Sequence, residues 1–422
     1  MGAEATGGRL GRDFVLLWQG QLVSQLGNQA FLVATMSWAL EATGSPALMG
    51  LLLAASTLPA VVVGPLAGAV VDRHSRRALV VGADLVRGLG HLALAAVMFG
   101  LPEATSTIVA LLFGMGILSG AMGAVVNPAL AAAIPDLVPP RRLAAANSLH
   151  HVSIHVATLT GQALGGVAFA SLGAGLLILF DGVTFLVSAG CARLARIPRP
   201  PARAPSGMRS EVGAYAADVR AGFAWLWRHR YLRALALTFA GVNVLFMPVF
   251  VLLPVYVRDR LAQGPEWYGF LLAAAGAGAL AGTAMAPRVL RTAPGLAGAV
   301  AGIGAATVAL GTSRSAAMAL AMLFAIGSLS GILNVRVMTI LQASTPSELR
   351  GRVLAVTIAL AGAAVPAGLV LGGAAGEMAR PHLGGIVAGC GLGILVLAAV
   401  LWSASPSGPA GAARVSGSAD PE

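Results

Sequence analysis

The sequence predicts an all-α membrane protein in which twelve transmembrane helices form two pseudo-symmetric six-helix bundles. Three observations lead to this fold class. The chain of 422 residues is 57% hydrophobic and only 10% charged, so a bilayer can solvate its surface where water could not. It contains twelve apolar stretches of about 20 residues, the length that crosses the hydrocarbon core of a membrane. Segments of its first half also return in its second half.

The predicted spans are helices, because lipid offers no hydrogen-bond partner to an exposed backbone. A break at Gly173 is expected to separate spans 5 and 6. In chain order, the twelve spans lie near residues 14–40, 47–71, 79–99, 105–133, 145–172, 174–197, 231–259, 266–290, 294–312, 315–342, 351–378 and 382–404.

An internal repeat predicts the division into two bundles. The segment Asn127–Pro139 is echoed by Asn334–Pro346, and both the asparagine and the proline are displaced by 207 residues, about half the chain. Two halves related in this way are typical of two-bundle transporters, whose substrate site lies where the halves face each other. The predicted bundles are residues 14–197 and 231–404. Chance similarity between Ala/Leu-rich helices is the alternative explanation.

The remaining segments are predicted to lie outside the bilayer. The linker 198–230 opens with prolines, which cannot continue a helix, and its residues 212–228 then have the spacing of an amphipathic helix at the inner membrane surface. Residues 1–13 are predicted to be a cytoplasmic N-terminus. Residues 405–422, rich in Ser, Pro, Gly and Ala, are predicted to be a disordered cytoplasmic tail.

The charge of +11 indicates topology rather than a polyanionic partner. All 27 basic residues are arginine, and 21 of them fall on the inner side if both termini are cytoplasmic. This is the positive-inside bias, so no nucleic-acid partner is predicted. The absence of lysine excludes a phosphate loop within this chain, and neither His-Glu-x-x-His nor Gly-x-Ser-x-Gly occurs. The sequence therefore predicts no enzyme and no cofactor.

The loop between spans 2 and 3 carries the most specific motif, Gly68-Ala-Val-Val-Asp72-Arg73-His-Ser-Arg76-Arg77. Its Gly-x3-Asp-Arg-x-x-Arg-Arg pattern, following two spans, resembles the cytoplasmic loop between helices 2 and 3 of major facilitator superfamily transporters. The resemblance implies that this loop is a conformational latch whose acid meets helix 11 near Arg352, and that Gly68 lets the helix end pack tightly. A solvated loop that only fixes topology is the alternative.

Further segments resemble the macrolide-efflux and enterobactin-exporter branch of that superfamily, of the drug:proton antiporter type. They include Gly82-Ala-Asp84-Leu-Val and Gly351-Arg352-Val. The resemblance implies a monomer in the cytoplasmic (inner) membrane of a bacterium that exports a hydrophobic small molecule, such as an antibiotic or siderophore, in exchange for protons. Gln162 stands where such exporters carry a proline. A facilitator or symporter importing a nutrient is the main alternative, and a receptor that does not transport is another.

Charged residues within spans need protein partners, because an isolated charge there costs at least about 2.5 kcal/mol. Asp84 and Arg87 lie three residues apart on one helix face and are predicted to pair beside the latch. Asp181, near mid-membrane, and His155 are candidates for proton coupling. A carboxyl that only hydrogen-bonds a neighbouring helix remains equally open for Asp181. His151 and His155 lack a third ligand, so no metal site is predicted.

Amide side chains on span 1 predict the lining of a central substrate cavity. Gln21, Gln25 and Asn28 follow one face of that helix, which is too polar for lipid. Arg336 in span 10 needs an anion, either a substrate group or Asp181. Hydrogen bonding between helices is the alternative for each amide. The other candidates for the cavity are Asn127, Gln162, Asn243, Phe246 and Asn334.

Overall fold

A computed structural model of the protein describes residues 10–198, 208–289 and 295–405, in which helices and turns occur and no strand. The predicted tail from residue 406 onward and the first nine residues lie outside the described residues. Short 3₁₀ turns precede α5 and α12. The helices are α1 (Arg12–Thr43), α2 (Pro46–Arg73), α3 (Arg76–Gly100), α4 (Thr105–Leu137), α5 (Leu143–Leu194), α6 (Met208–Arg228), α7 (Arg230–Asp259), α8 (Glu266–Val289), α9 (Leu296–Thr312), α10 (Ala316–Ser344), α11 (Ser347–Met378) and α12 (Leu383–Ala404).

Most of these helices are suited to a bilayer. Nine stretches of the described residues are long and apolar enough to cross a membrane, and α5 with its preceding turn counts as one of them. Helix α1 is not among the nine, which agrees with the amide side chains that it carries. Helix α9 is a shorter apolar helix of 17 residues. The prediction of an all-helical membrane protein is confirmed.

Helix α5 contains the expected break between spans 5 and 6. It is continuous over 52 residues except at Gly173, where φ is 75° and ψ is 173°. Side chains other than hydrogen rarely tolerate this positive φ, which explains a glycine at this point. The break divides α5 into two arms, here named α5a (residues 143–172) and α5b (residues 174–194).

The chain divides into two compact units. Unit 1 comprises Met1–Ala42 and Ala55–Met208, and unit 2 comprises Thr43–Ala54 and Arg209–Glu422. The division near Met208 falls within the predicted linker. Helix α2 belongs to both units, because its first residues group with unit 2.

Close helix crossings in unit 1 occur at glycines. A Cβ atom built on Gly88 of α3 would lie 3.0 Å from the carbonyl oxygen of Gly182 in α5b, and one built on Gly182 would lie 3.1 Å from that of Gly88. In α5a, Gly161 and Gly165 likewise abut the backbone of α1. Small residues allow this close approach of membrane helices.

In unit 2, helices α8 and α10 interlock through two glycine pairs spaced four residues apart. Gly278 and Gly282 of α8 meet the carbonyl groups of α10, while Gly327 and Gly331 of α10 meet those of α8. The sequence analysis did not identify this pairing.

The start of α2 joins unit 2 through α11. Gly50 lies against the backbone of Leu369 and Gly373. The Glu377 carboxylate accepts hydrogen bonds from Ser45 Oγ at 2.7 Å and from the Ala47 N–H at 3.3 Å. A carboxylate is favoured at this position because the N–H groups at a helix N-terminus have no partner in the helix.

The predicted amphipathic helix of the linker is present as α6. It packs on the beginning of α11, where Gly222 would place a Cβ atom 2.6 Å from the Arg352 carbonyl oxygen. Arg352 also forms an ion pair with Asp218 at 2.7 Å. The stacked rings of Phe223 and Trp227, 4.8 Å apart, are about 40% exposed (40% and 43%). Such an apolar stripe suits a membrane surface.

Replacing Gly327 by alanine is expected to destabilise the protein by about 1–3 kcal/mol, because the new methyl group would collide with the Ala275 carbonyl oxygen. Gly389→Ala in α12 is the matched control, since no atom of the described residues lies within 4 Å of its Cβ position. Thermal unfolding in detergent should show a lower Tm for Gly327→Ala and an unchanged or higher Tm for Gly389→Ala. Equal Tm values for the two variants would contradict the interlocked packing.

Candidate functional site

Unit 1 encloses a buried polar cluster between α1, α3 and α5b. Three of its ionisable side chains, those of Asp84, His91 and Asp181, have 0% exposed surface. The cluster consists of Gln21 from α1, Asp84, Arg87 and His91 from α3, and Asp181 and Ser188 from α5b.

The Asp84 carboxylate is hydrogen-bonded to all three helices. Arg87 forms an ion pair with its Oδ1 atom. Ser188 Oγ donates to its Oδ2 atom at 2.7 Å, and Gln21 Nε2 approaches the same oxygen at 3.3 Å. Gln21 also donates to Ser188 at 2.9 Å. Because a buried carboxylate is costly without partners, these contacts hold the three helices in one arrangement.

The Arg87 guanidinium lies over an aromatic ring as well as beside Asp84. Its Cζ atom is 4.4 Å from the ring centroid of Phe185 in α5b. The negative face of an aromatic ring attracts a cation at this distance. The charge of Arg87 is thus balanced by a carboxylate and a ring within the protein.

His91 and Asp181 face each other deeper in the same helices. Their Nε2 and Oδ2 atoms are 3.6 Å apart, and neither atom has a hydrogen-bond partner among the described residues. His91 Nδ1 lies 2.9 Å from the carbonyl oxygen of Arg87. The imidazole also contacts the ring of Phe31 edge-on at 4.5 Å and stacks on Phe185 at 5.6 Å.

A glycine of α1 makes room for this pair. A Cβ atom on Gly27 would lie 2.6 Å from Asp181 Oδ1 and 3.1 Å from the Asp181 Cα atom. Thr184 completes the surroundings, with its Oγ1 donating to the Asp181 carbonyl at 2.8 Å. Apolar and backbone atoms therefore surround the carboxyl group apart from His91 and Thr184.

Sequence reasoning identified part of the cluster. The spacing of Asp84 and Arg87 predicted their contact, and Asp181 was singled out as an acid near mid-membrane. His91 and Ser188 were missed. The sequence did contain a signal for His91, because residues 84, 87 and 91 follow one face of the helix at i, i+3 and i+7.

Two arginines of the latch, Arg76 and Arg77, connect the beginning of α3 to α4 and to the end of α5b. Arg76 forms an ion pair with Asp136 of α4 and donates to the Ala132 carbonyl at 3.0 Å. Arg77 donates to the backbone carbonyl of Arg193.

The expected role of Asp72 stays a prediction, and two further latch residues are exposed. The side chain of Asp72 lies outside the described residues, while Arg73 is exposed. Gly68 is exposed with no described atom within 4 Å of its Cβ position, so the tight packing expected there is not present in this part of the structure. Arg352, at the start of α11, pairs with Asp218 of the linker helix.

The predicted cavity residues are placed in different surroundings. Gln21 is only 7% exposed and belongs to the buried polar cluster, where an open cavity was expected. Gln162 donates to Gln29 Oε1 at 2.9 Å, which is a helix–helix amide pair. Asn243 and Asn334 donate to carbonyl groups of their own helices.

The remaining cavity candidates, and the proton-coupling candidate His155, are exposed or partly buried. Asn127 and His155 are exposed, and the others are partly buried. Those partly buried side chains are Gln25, Asn28, Phe246 and Arg336.

Helices suited to a bilayer, with ionisable groups held between them, define a multi-pass membrane protein. Residues 17–369 match the model of the Major Facilitator Superfamily. The chain therefore belongs to the Major Facilitator Superfamily, a family of transporters.

Curated relatives include efflux proteins. The chain is 27% identical over 380 residues to the multidrug efflux pump Tap of Mycolicibacterium fortuitum, covering 87% of this chain and 90% of that protein. It is 25% identical over 252 residues to macrolide efflux protein A of Streptococcus pyogenes, covering 60% of each.

Solved structures share the fold. A bacterial homologue of the iron transporter ferroportin in an inward-facing state has a TM-score of 0.71 and 17% identity, covering 93% of this chain and 98% of that one. A D-xylose–proton symporter has a TM-score of 0.69 and 14% identity, covering 94% and 98%. At these identities the likeness concerns the fold alone.

Asp84→Asn is expected to lower the stability of the protein by about 3–5 kcal/mol, because it leaves the Arg87 charge, which is only 11% exposed, without its anion. Asp136→Asn breaks an ion pair in which the aspartate is 33% exposed, so its expected cost is below about 1 kcal/mol. Tm measurements on the purified variants compare the two losses. A loss for Asp84→Asn no larger than that for Asp136→Asn would show that the buried cluster does not hold the helices together.

Proposed function

We propose that this protein is a secondary active transporter that exports a hydrophobic small molecule in exchange for protons, by alternating access. The observation that carries the proposal is the complete burial of Asp181 within a membrane helix. A carboxyl group there is expensive to keep and is a functional site by default. Proton antiport requires such a group, because its proton must be bound on one side of the membrane and released on the other.

The direction of transport rests on the sequence relatives. The named function of Tap is multidrug efflux, and the match to it extends over 90% of that protein. Macrolide efflux protein A supports the same substrate class, hydrophobic antibiotics. A symporter or facilitator importing a nutrient is the alternative, since a D-xylose–proton symporter shares the fold.

We further propose twelve crossings in two bundles, residues 14–197 and 231–404. The nine candidate spans become ten when α5a and α5b are counted separately. Helices α1 and α9 bring the number of crossings to twelve. Both termini then lie on the cytoplasmic side of a bacterial inner membrane, where the arginines concentrate. Helix α6 lies on the inner membrane surface, with Phe223 and Trp227 toward the lipid, and the protein works as a monomer.

The loop from Gly68 to Arg77 is proposed to be the latch that controls this movement. Arg76 and Arg77 anchor one side of the loop to α4 and α5b. Asp72 then supplies the contact that changes between conformations. Gln25, Asn28, Asn243, Phe246 and Arg336, all partly buried, remain the candidates for contact with substrate.

Antibiotic accumulation in an efflux-deficient bacterial host tests the export proposal. Expression of the wild type should lower the accumulation of erythromycin or another drug of a hydrophobic panel, and a proton uncoupler should abolish the effect. Asp181→Asn should raise accumulation to the level of the empty vector, because the variant cannot release a proton. Glu103→Gln is the control, since Glu103 is exposed between α3 and α4. Drug uptake that persists without a proton gradient would instead indicate a facilitator.

Asp72→Asn tests the latch separately. We expect at least about a tenfold loss of drug resistance with unchanged protein level, equivalent to about 1.4 kcal/mol in the conformational equilibrium. The readouts are the minimal inhibitory concentration and the amount of protein in isolated membranes. Resistance equal to that of the wild type would leave Asp72 as a residue that only fixes topology.

A further inference from the structure

The contact between His91 and Asp181 extends the proposed function to a second residue. Both side chains are fully buried, they come from different helices, and their unpartnered Nε2 and Oδ2 atoms face each other at 3.6 Å. We infer that His91 and Asp181 together form the proton-binding site of the transporter, in which one exchangeable proton is shared between the carboxyl group and the imidazole. The inference rests on the proposed proton coupling and adds to it the partner of the acid.

The hydrogen bond on the far side of the imidazole decides how His91 can act. A backbone carbonyl only accepts hydrogen bonds, so the Nδ1 atom 2.9 Å from the Arg87 oxygen must carry a hydrogen. In the neutral ring the lone pair then lies on Nε2, which faces Asp181. His91 is thereby fixed in the tautomer that can accept a proton from the carboxyl group.

The step itself needs only a small movement. A hydrogen bond between the two groups requires that Nε2 and Oδ2 approach from 3.6 Å to about 2.7–3.0 Å. When the proton is on Oδ2, the carboxylic acid donates to Nε2. When it is on Nε2, the imidazolium donates to the carboxylate. Both forms hold the same single proton and the same net charge, and no bond to carbon changes.

The surrounding charges favour one proton in the site. On α3, Arg87 and Asp84 neutralise each other. Helix α1 contributes Gly27 and Phe31, and the acid of α4, Asp136, is paired with Arg76. The other ionisable residues of α1 and α5b lie near the helix ends.

With one shared proton the cluster is therefore neutral. Removing that proton leaves one negative charge in a site without exposed surface, and adding a second leaves one positive charge. Either charge is costly in a site with no exposed surface. Exchange of the proton consequently requires water to reach the pair, and a change of packing at Gly27, which lies against Asp181, is the movement that would admit it. Proton exchange and helix movement are thus coupled.

Infrared spectroscopy during a pH titration tests the site without any substrate. The full-length protein in lipid membranes should show the carbonyl stretching band of a buried carboxylic acid, which Asp181→Asn removes. His91→Gln should keep the band but change its frequency and move its titration midpoint by about one pH unit or more. His382→Gln is the control, because that histidine is exposed in the turn before α12. A band that is unchanged by His91→Gln, or unaffected by Asp181→Asn, would overturn the inference.

Nitrogen NMR of the wild type keeps the inference testable if His91→Gln fails to fold. In ¹⁵N spectra of the labelled histidines, His91 should show the form with hydrogen on Nδ1, and the milder variant Asp181→Glu should shift its Nε2 signal. A buried histidine with hydrogen on Nε2 alone, or one insensitive to Asp181→Glu, would contradict the shared proton.

Transport in proteoliposomes separates the two proposals. The wild type should accumulate erythromycin against its gradient when a pH gradient is imposed. Accumulation by His91→Gln should be at least about tenfold lower, while its exchange of erythromycin without a gradient is retained. A wild type that moves erythromycin with no response to pH would defeat the proposed function. A wild type driven by pH together with an equally driven His91→Gln would defeat only the assignment of His91.

Discussion

The structure depends on one constraint, that an ionised group inside a membrane helix must find its partners within the protein. Unit 1 meets it by gathering its buried charges in one place. Asp84 is bound by Arg87 from its own helix, by Ser188 from α5b and by Gln21 from α1. Each of these helices therefore loses hydrogen bonds if it moves separately from the other two. The electrostatic requirement thus determines which helices stay together.

Glycine makes that requirement compatible with close packing. Polar side chains reach one another across α3 and α5b because Gly88 and Gly182 let the two backbones approach. In unit 2 the same device joins α8 to α10, but those glycines surround no buried ion pair among the described residues. The two units thus share a packing principle, whereas the buried ionisable cluster belongs to unit 1.

Local patterns in the sequence predicted those features that depend on neighbours along one helix. The helix α6 and the contact between Asp84 and Arg87 are of this kind. The break at Gly173 was expected from the family resemblance as much as from the pattern. Features that depend on another helix were not predictable in the same way. The periodicity of α1 showed that Gln21 lies on a polar face, but it could not distinguish a face toward a cavity from one toward Asp84. The spacing of residues 84, 87 and 91 placed His91 on the charged face of α3, but it could not show that the partner of His91 is Asp181 on another helix.

The separation of the two carboxylates explains how one cluster can combine rigidity with exchange. Both oxygens of Asp84 are engaged by strong partners, so its charge is fixed and serves to hold helices. Asp181 has one oxygen without a hydrogen bond among the described residues, facing a nitrogen that also lacks one. A carboxylate with all its hydrogen bonds made would lose some of them on gaining a proton. The His91–Asp181 pair, with a hydrogen bond still to be made, can gain one instead. Arg87 links the two carboxylates. Its backbone carbonyl orients His91, which faces Asp181, and its guanidinium binds Asp84. If the proton is shared as we infer, its loss or gain at Asp181 acts through His91 on Arg87, the residue that ties α3 to its neighbours.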